Sequence, residues 1–209
     1  MTSLRRILKA VKYRIYAALY VLRRTVLAPL YGIKLPLNKK ICFGTHVKLG
    51  SGTRVYFYSG SLQVEKDTVI CNYSKIIVGG GGKLKIGENC LLGEYGIYNT
   101  FTDLIIGNDV ITADRISFVT NIHQYENIDQ PIKNQPSVSG PIEIGDGAWI
   151  GMNAIILANT HIGKNCVVAA HSVVKGDFPD YCVIGGTPAQ ILKRYNENTG
   201  KWDKVPRTI

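Results

Sequence analysis

Large aliphatic residues recur every six positions in the C-terminal third of the chain, at Ile144, Ile150, Ile156, Ile162, Val168 and Val174. A helix repeats near 3.6 residues and a strand near 2, so an unbroken period of six fits neither element alone. This period is typical of a parallel β-helix, in which short strands stack coil upon coil. Small residues, expected inside a narrow prism, keep a fixed place between the aliphatics: Ala148, Ala154, Thr160, Cys166 and Ser172.

The same period occurs upstream, with interruptions. It includes Ile86, Leu92, Tyr98, Ile106, Thr112 and Phe118, and more weakly Ile41, Val47 and Thr53. The pattern therefore predicts about six coils. Its one long break, residues 124–141, contains three prolines, Pro131, Pro136 and Pro141. A loop of this length in a compact repeat is usually functional or disordered, so we expect it to protrude from the solenoid.

The first 40 residues differ from the rest in charge. They hold ten Lys or Arg and no Asp or Glu, whereas the remaining residues hold fifteen of each sign, so the net charge of +10 belongs to this segment. Apolar residues three and four positions apart predict an amphipathic helix, which Pro29 and Pro36 would end. These apolar positions are Leu4, Leu8, Val11, Ile15, Ala18 and Leu22.

A basic amphipathic helix is typical of a segment that lies on an anionic membrane surface, here through residues 1–28. The longest uncharged run in it, Ile15 to Leu22, is far shorter than the ~20 residues of a membrane span. Arg23 and Arg24 stand where a signal peptide would need small residues. The alternative is a helix packed over the open end of the first coil. Nucleic acid is not expected as a partner, because no aromatic stacking platform accompanies the charge.

The five cysteines show no CxxC spacing. Cys90 and Cys166 fall on small inward positions of the repeat, so we interpret them as core residues rather than as ligands or disulfide partners. This use of cysteine favours a reducing, cytoplasmic location.

Three segments, residues 140–151, 169–175 and 183–195, resemble the hexapeptide-repeat acyltransferases, and within them the sugar and polysaccharide O-acetyltransferases. The resemblance covers roughly residues 86–195. It implies a left-handed parallel β-helix, an all-β solenoid, assembled as a homotrimer. It also implies acetyl-CoA as donor and no metal. We expect a basic amphipathic helical segment over 1–36, the β-helix over 37–178, and a C-terminal tail over 179–209 with a short helix from Ala189 to Tyr195.

His123 is the candidate catalyst among four histidines, because it ends a regular run and begins the long loop. The segment from Phe118 to Glu126 resembles the family stretch that carries the catalytic histidine. A neutral imidazole can take the proton of a sugar hydroxyl as that hydroxyl attacks a thioester. Relatives often carry a second histidine or an aspartate just before this histidine; here those positions hold Thr120, Asn121 and Ile122, so an orienting partner must come from elsewhere. Asn99 and Tyr125 are the candidate acceptor contacts.

The resemblance also implies that the coenzyme lies along a seam between two subunits, near the C-terminal coils. The matching positions are Trp149, Gly151, Met152, Ala170, Lys175 and Lys193. Trp149 would lie beside the pantetheine arm and Lys193 near the phosphates. Alternatively, Trp149 has a structural role and covers the subunit interface.

Three other functions stay open at this point. One is an N-acetyltransferase that acts on an amino group of a nucleotide sugar. A second is a zinc enzyme like the γ-type carbonic anhydrases, which needs three convergent histidines; His123 and His161 share a register, but the chain has no close histidine pair. A third is a non-catalytic β-helix scaffold. The basic N-terminus favours a lipid-linked glycan or polysaccharide precursor at the inner membrane face as the acceptor.

Overall fold

Each coil of the chain passes through three short strands separated by tight corners. The computed structural model describes residues 40–206, so the predicted N-terminal helix lies outside the described residues. The first three coils consist of β1 (Ile41–Phe43), β2 (Lys48–Leu49), β3 (Arg54–Phe57), β4 (Ser61–Val64), β5 (Val69–Ile70), β6 (Lys75–Val78), β7 (Lys83–Ile86), β8 (Leu91–Leu92) and β9 (Ile97–Thr100).

The strands that follow complete the solenoid and add two antiparallel pieces. They are β10 (Leu104–Ile106), β11 (Ile111–Thr112), β12 (Ser117–Val119), β13 (Asn121–His123), β14 (Ser137–Ser139), β15 (Ile142–Ile144), β16 (Trp149–Ile150), β17 (Ile155–Ile162), β18 (Val167–Val168), β19 (Val173–Phe178), β20 (Cys182–Gly186), β21 (Ala189–Asn196) and β22 (Lys201–Lys204). Six coils of three strands result, and the end of β19 with β20 begins a seventh.

The strands stack in register and form three faces of a prism. Face one contains β1, β4, β7, β10, β15, the second half of β17 and the end of β19. Face two contains β2, β5, β8, β11, β16, β18 and β20. Face three contains β3, β6, β9, β12, the first half of β17 and the start of β19. All pairings within the faces are parallel, as the period of six predicts.

The side chains that keep the six-residue period fill the inside of the prism. The members of the C-terminal series, from Ile144 to Val174, are each at most 1% exposed, and the small residues between them are also buried. Full burial of such an aliphatic side chain contributes roughly 1.5–3 kcal/mol. In the middle coils two aromatic rings, Tyr98 and Phe118, stack at 5.5 Å between centroids and occupy the same interior. The predicted β-solenoid and its core are therefore confirmed.

Residues at the corners take up the left-handed backbone conformation that closes each coil. Asn153, Asn165 and Asp109 have φ values of 59°, 49° and 56°. Asn and Asp tolerate this region because a short polar side chain can hydrogen-bond to the nearby backbone. The Asn and Asp residues at the corners therefore recur with the same repeat that places the aliphatic residues in the core.

Cys90, Cys166 and Cys182 are free thiols, and all three are buried. Burial is the main cause that raises the pKa of the Cys166 thiol to about 11. The Cys166 Sγ donates a hydrogen bond to the carbonyl oxygen of Pro179 at 3.1 Å. The interpretation of Cys90 and Cys166 as core residues is confirmed.

One excursion leaves the solenoid after face three of the fourth coil. Strands β13 and β14 pair antiparallel and form an arm that runs out and back before β15 resumes face one. A 3-10 turn, Ile132–Asn134, lies at its far end. Within residues 40–206, no helix has the length and apolar composition that crossing a membrane requires.

The predicted C-terminal helix is wrong: the residues from Ala189 to Tyr195 belong to strand β21, which pairs antiparallel with β20, and β22 pairs with β21 in turn. Strand β20 is the last strand of face two and would otherwise leave its backbone groups unpaired at an exposed edge. Gly186, with φ of 112°, begins the reversal. A helix this short is only marginally stable by itself, so pairing with the sheet edge wins.

Candidate active site

His123 lies at the end of β13, on the arm that leaves the solenoid. Its side chain is exposed, and the strand pair that carries it is closed by two backbone hydrogen bonds. The Gln124 N–H donates to the Pro136 carbonyl at 3.0 Å, and the Gly140 N–H donates to the Thr120 carbonyl at 2.8 Å. The loop predicted at residues 124–141 is therefore part of an ordered arm that already begins with β13, and the catalytic candidate lies three residues from its base.

The two sides of the arm differ in polarity. Asn121 and His123 face Ser139 and Ser137 on the opposite strand, and Ile122 faces Val138 on the other side. Ser137 Oγ lies 3.5 Å from His123 Nδ1. Within residues 40–206 the Nε2 atom of His123 has no hydrogen-bond partner, so it is free to act on a substrate. Among the residues on this polar side of the arm, the sequence analysis identified only His123 as a candidate site residue.

Asn99, the first acceptor candidate, is joined to the base of the arm. It lies on face three in β9, and its Nδ2 donates to Asn121 Oδ1 at 3.0 Å. The Thr120 N–H donates to the Asn99 carbonyl at 3.1 Å. The Oδ1 atom of Asn99 is buried and lacks a hydrogen-bond partner among the described residues. Such an unpaired group costs about 1–3 kcal/mol and is often found at functional sites.

Tyr125, the second acceptor candidate, lies two residues beyond His123 and is 67% exposed. The part of the arm beyond it is held by Gln135, whose side chain is buried. The Gln135 Nε2 donates to the carbonyls of Asn127 and Gln130 at 2.8 and 3.2 Å, and its Oε1 accepts from the Asn127 N–H at 3.2 Å. One glutamine thus fixes the far end of the arm, while Tyr125 stays open to solvent.

Four of the six donor candidates form one strip in the fifth and sixth coils. Trp149 lies on face two and is 53% exposed, and Met152 at the following corner is 42% exposed. Gly151 and Ala170 are stacked there: a Cβ at Gly151 would lie only 2.6 Å from the Ala170 backbone nitrogen. We call these four residues the donor strip. Its exposed members, Trp149, Met152 and Ala170, lie at and beside the corner between faces two and three, and Gly151 is buried among them.

The two lysine candidates lie elsewhere. Lys175 is an exposed residue of β19, where the chain passes from face three to face one. Lys193 is exposed on β21, opposite Val183 on one side and Lys204 on the other. The structure therefore separates Lys175 from the donor strip and places Lys193 beside a second lysine.

The arm and the donor strip lie at different corners of the prism that one chain forms. The arm leaves between faces three and one, and the donor strip lies between faces two and three. One chain consequently does not bring His123 to the donor strip.

The other histidines are also distributed over separate sites. His46 hydrogen-bonds Asp67 at 2.9 Å, His171 Nε2 lies 3.4 Å from Asn153 Nδ2, and His161 lies on face one. Among the described residues, no group of three or more His, Cys, Asp or Glu is arranged to hold a metal ion. A single chain therefore does not assemble the three-histidine set of the zinc alternative.

The residues that the sequence analysis missed are Asn121 and Ser137. A signal was present, because Asn121-Ile122-His123 and Ser137-Val138-Ser139 have the same polar–apolar–polar alternation. Alternation of this kind indicates two short strands with one polar side.

Comparison with known proteins agrees with this architecture. A profile described as bacterial transferase hexapeptide (six repeats) matches residues 141–176. An acetyltransferase, described as probable, from Mycobacterium tuberculosis is 38% identical over 112 residues, which are 54% of this chain and 37% of that protein. Little more than a third of the relative is therefore matched.

A solved structure supports the fold. An N-acyltransferase from Bacillus cereus, in complex with dTDP and coenzyme A, superposes with a TM-score of 0.59 at 18% identity, over 75% of this chain and 87% of that one. At this identity the likeness concerns the fold alone.

A protein of Escherichia coli (strain K12), named for O-acetyl transfer in lipopolysaccharide biosynthesis, is 31% identical over 134 residues, which are 60% of this chain and 68% of that protein. This share, together with the matching repeat profile and the six stacked coils, shows that the chain belongs to the hexapeptide-repeat family of bacterial transferases.

Proposed function

We propose that this protein is an acetyltransferase that moves an acetyl group from acetyl-CoA to a hydroxyl of a sugar or polysaccharide precursor. The observation that carries the proposal is the place of His123, which is exposed on an ordered arm with Nε2 free. The base of this arm is tied to Asn99, the candidate acceptor residue. The E. coli relative, whose name specifies O-acetyl transfer, supports the same type of reaction.

In the proposed reaction, His123 Nε2 takes the proton of the acceptor hydroxyl while the hydroxyl oxygen attacks the carbonyl carbon of the thioester. The carbon–sulfur bond then breaks, and the protonated imidazole returns its proton to the departing sulfur. The products are an acetyl ester of the acceptor and coenzyme A with a free thiol. General-base catalysis of this kind contributes roughly 10²–10⁴-fold, and orientation of the two substrates contributes further.

The acceptor is assigned to the surface around Asn99 and Tyr125. Asn99 is a half-buried polar residue on face three at the base of the arm, which suits contact with an acceptor hydroxyl. Tyr125 offers an aromatic face and a hydroxyl on the solvent side of His123, as expected of a residue that contacts an amphipathic ligand.

Acetyl-CoA is assigned to the donor strip together with Lys175 and Lys193. The exposed ring of Trp149 and the thioether of Met152 offer apolar contact for the pantetheine arm. Gly151 keeps the coil surface free of a side chain at a point where a Cβ would already collide with the next coil. Lys193 and Lys204 lie opposite each other on neighbouring strands, and two adjacent ammonium groups suit phosphate charge.

The separation of arm and donor strip leads us to propose a homotrimer of left-handed β-helices. At each seam the arm of one copy would approach the donor strip of the next, so that the acyl group passes between subunits. Face two presents apolar side chains that support such contact: Leu91 and Ile111 are each about half exposed and lie on successive rungs with Trp149. Exposed apolar surface of this kind commonly marks an interface.

The location that we propose is cytoplasmic, at the inner face of a membrane, with an acceptor that is lipid-linked. Support comes from the first 40 residues, whose ten basic residues are not balanced by any acidic one. Anionic lipid attracts such segments with about 1 kcal/mol per basic residue near the surface.

The proposal is tested with purified full-length protein, acetyl-CoA and matched acceptors: methyl glycosides of glucose and galactose, and their 2-amino forms. Binding of acetyl-CoA is measured by calorimetry, with bound zinc determined on the same sample. We expect saturable binding near one site per chain, and thiol release with the glycosides to give a product that, once separated from acetyl-CoA, is cleaved by alkaline hydroxylamine, as oxygen esters are.

The opposing outcomes separate the other functions. A hydroxylamine-resistant product formed from the 2-amino glycosides alone would identify an N-acetyltransferase. Bound zinc without acetyl-CoA binding would favour the zinc enzyme. The absence of both bound zinc and acetyl-CoA binding would favour the scaffold.

A further inference from the structure

The geometry points to Ser137 as the positioning residue for His123: its hydroxyl holds the imidazole in the tautomer that leaves Nε2 free to accept a proton. This inference rests on the proposed role of His123 as base. Thr120, Asn121 and Ile122, the residues directly before His123, form no hydrogen bond with its ring among the described residues, whereas Ser137 on the opposite strand lies within reach.

The backbone of the arm places the two side chains together. His123 and Ser137 are directly opposite each other in the antiparallel pair β13–β14. The hydrogen bond from the Gln124 N–H to the Pro136 carbonyl shows that they form a non-hydrogen-bonded pair. In such a pair the Cα atoms are only about 4.5 Å apart and the side chains point to the same side of the sheet. The contact between Ser137 Oγ and His123 Nδ1 thus follows from the strand register.

The arm is held at both ends, so the register is fixed. At the base, the amide of Asn121 accepts a hydrogen bond from Asn99 on the solenoid. At the far end, Gln135 bonds the carbonyls of Asn127 and Gln130. A slip of one residue would break these bonds and turn His123 to the apolar side of the arm.

Ser137 is the one protein side chain within hydrogen-bonding distance of the His123 ring among residues 40–206. A serine hydroxyl can either donate to or accept from an imidazole nitrogen, and the proposed base requires the tautomer that carries its proton on Nδ1. When Ser137 Oγ accepts from the Nδ1–H, the lone pair is left on Nε2. The separation of 3.5 Å is long for a hydrogen bond, and contacts of catalytic groups commonly shorten when substrate binds.

The test compares three variants of the full-length protein: Ser137→Ala, Ser137→Thr and Ser139→Ala. Ser139 is the matched control, because it has the same side chain, lies on the same strand and is paired with Asn121 instead of His123. The assay is acetyl transfer to the methyl glycosides, with kcat and KM for acetyl-CoA and acceptor determined separately. A second readout is independent of activity: the nitrogen NMR signals of the His123 ring in protein labelled with ¹⁵N-histidine, assigned by their loss in His123→Ala.

We expect Ser137→Ala to lower kcat by roughly five- to tenfold, the size of one lost neutral hydrogen bond, with both KM values unchanged. Its ring signals should shift from a protonated Nδ1 towards a mixture of the two tautomers. Ser137→Thr keeps the hydroxyl on a residue suited to a strand, so it should restore both kcat and the wild-type tautomer, and Ser139→Ala should match the wild type.

Three results would overturn the inference: an unchanged kcat in Ser137→Ala, an equal loss in Ser139→Ala, or a lower kcat with the tautomer unchanged. Full activity of His123→Ala would remove the proposed base, whereas the ring signals would still show whether Ser137 sets the tautomer. The two failures are therefore distinguishable.

Discussion

Replacement of His123 by alanine is the most direct test of the catalytic assignment. The imidazole is exposed on an arm outside the core, and within residues 40–206 its hydrogen-bonding contact is the one to Ser137. Removal of an exposed side chain of this kind changes the free energy of unfolding by no more than about 0.5 kcal/mol. The arm is held by backbone bonds and by Asn121 and Gln135, so its conformation should persist.

The expected effect on catalysis is large by comparison. Loss of a general base lowers kcat by roughly 10²–10⁴-fold, which corresponds to about 2.7–5.4 kcal/mol in the activation barrier. The affinity for acetyl-CoA should stay nearly the same, because the proposed contacts with the coenzyme come from the donor strip, Lys175 and Lys193 rather than from His123. A selective loss of kcat would separate a chemical role of His123 from a structural one.

The assay follows thiol release under saturating acceptor and measures acetyl-CoA affinity by calorimetry on the same preparation. His161→Ala is the matched control, since His161 is also exposed on a strand but lies on face one, opposite Glu143 and Asp177. Wild-type kcat in His123→Ala would refute the assignment. So would an equal loss of activity in both variants.

Three further predictions concern the donor strip, the core and the N-terminal segment. A Cβ at Gly151 would lie 2.6 and 2.8 Å from backbone atoms of Ala170 and Val168; we therefore expect Gly151→Ala to destabilise the fold by about 1–3 kcal/mol and to weaken acetyl-CoA binding, and an unchanged melting temperature would contradict the tight stacking. Burial raises the pKa of the Cys166 thiol from 9.0 to about 11. Above pH 9.0 the unfolded chain loses this proton first, so stability should fall between pH 9.0 and about 11. Denaturant titrations should show that slope reduced in Cys166→Ala; an identical slope would count against the burial. Deletion of residues 1–28 should leave the circular dichroism of the β-helix intact and weaken binding to anionic vesicles, whereas aggregation of the truncated protein would favour a helix that covers the first coil.

The solenoid could be predicted because its information is local and repeated. Each inward position, such as Ile150 or Val168, is set by its distance from the previous inward position along the chain. Each coil then stacks on the one before it in the same register. The interval of 18 residues between Ile144 and Ile162 equals three hexads, and the two residues pair in neighbouring strands. A pattern with period six leaves few alternatives to a three-sided coil.

Prediction from local sequence was wrong at the C-terminus. The residues from Ala189 to Tyr195 were expected to form a short helix, in a tail that resembles the C-terminal tail of the family. In the structure, the open edge of β20 pairs with them, and Tyr195 then packs against Trp202 across the next strand pair, with ring centroids 5.6 Å apart. Neither contact can be read from the segment by itself, because propensity is a weak prior that tertiary pairing routinely overrides.

The sequence by itself determined that the chain is a β-solenoid, which residues face inward, and that an excursion leaves it near His123. These properties depend on spacing along the chain, because in a periodic fold the spacing decides whether a side chain points into the prism or out of it. Only the tertiary structure decided that the excursion is an antiparallel arm, that Ser137 stands opposite His123, that Asn99 holds the base of the arm, and that arm and donor strip lie at different corners. These relations join residues 14 to 22 positions apart through pairing register and side-chain hydrogen bonds, which no local pattern of hydrophobic and polar residues specifies.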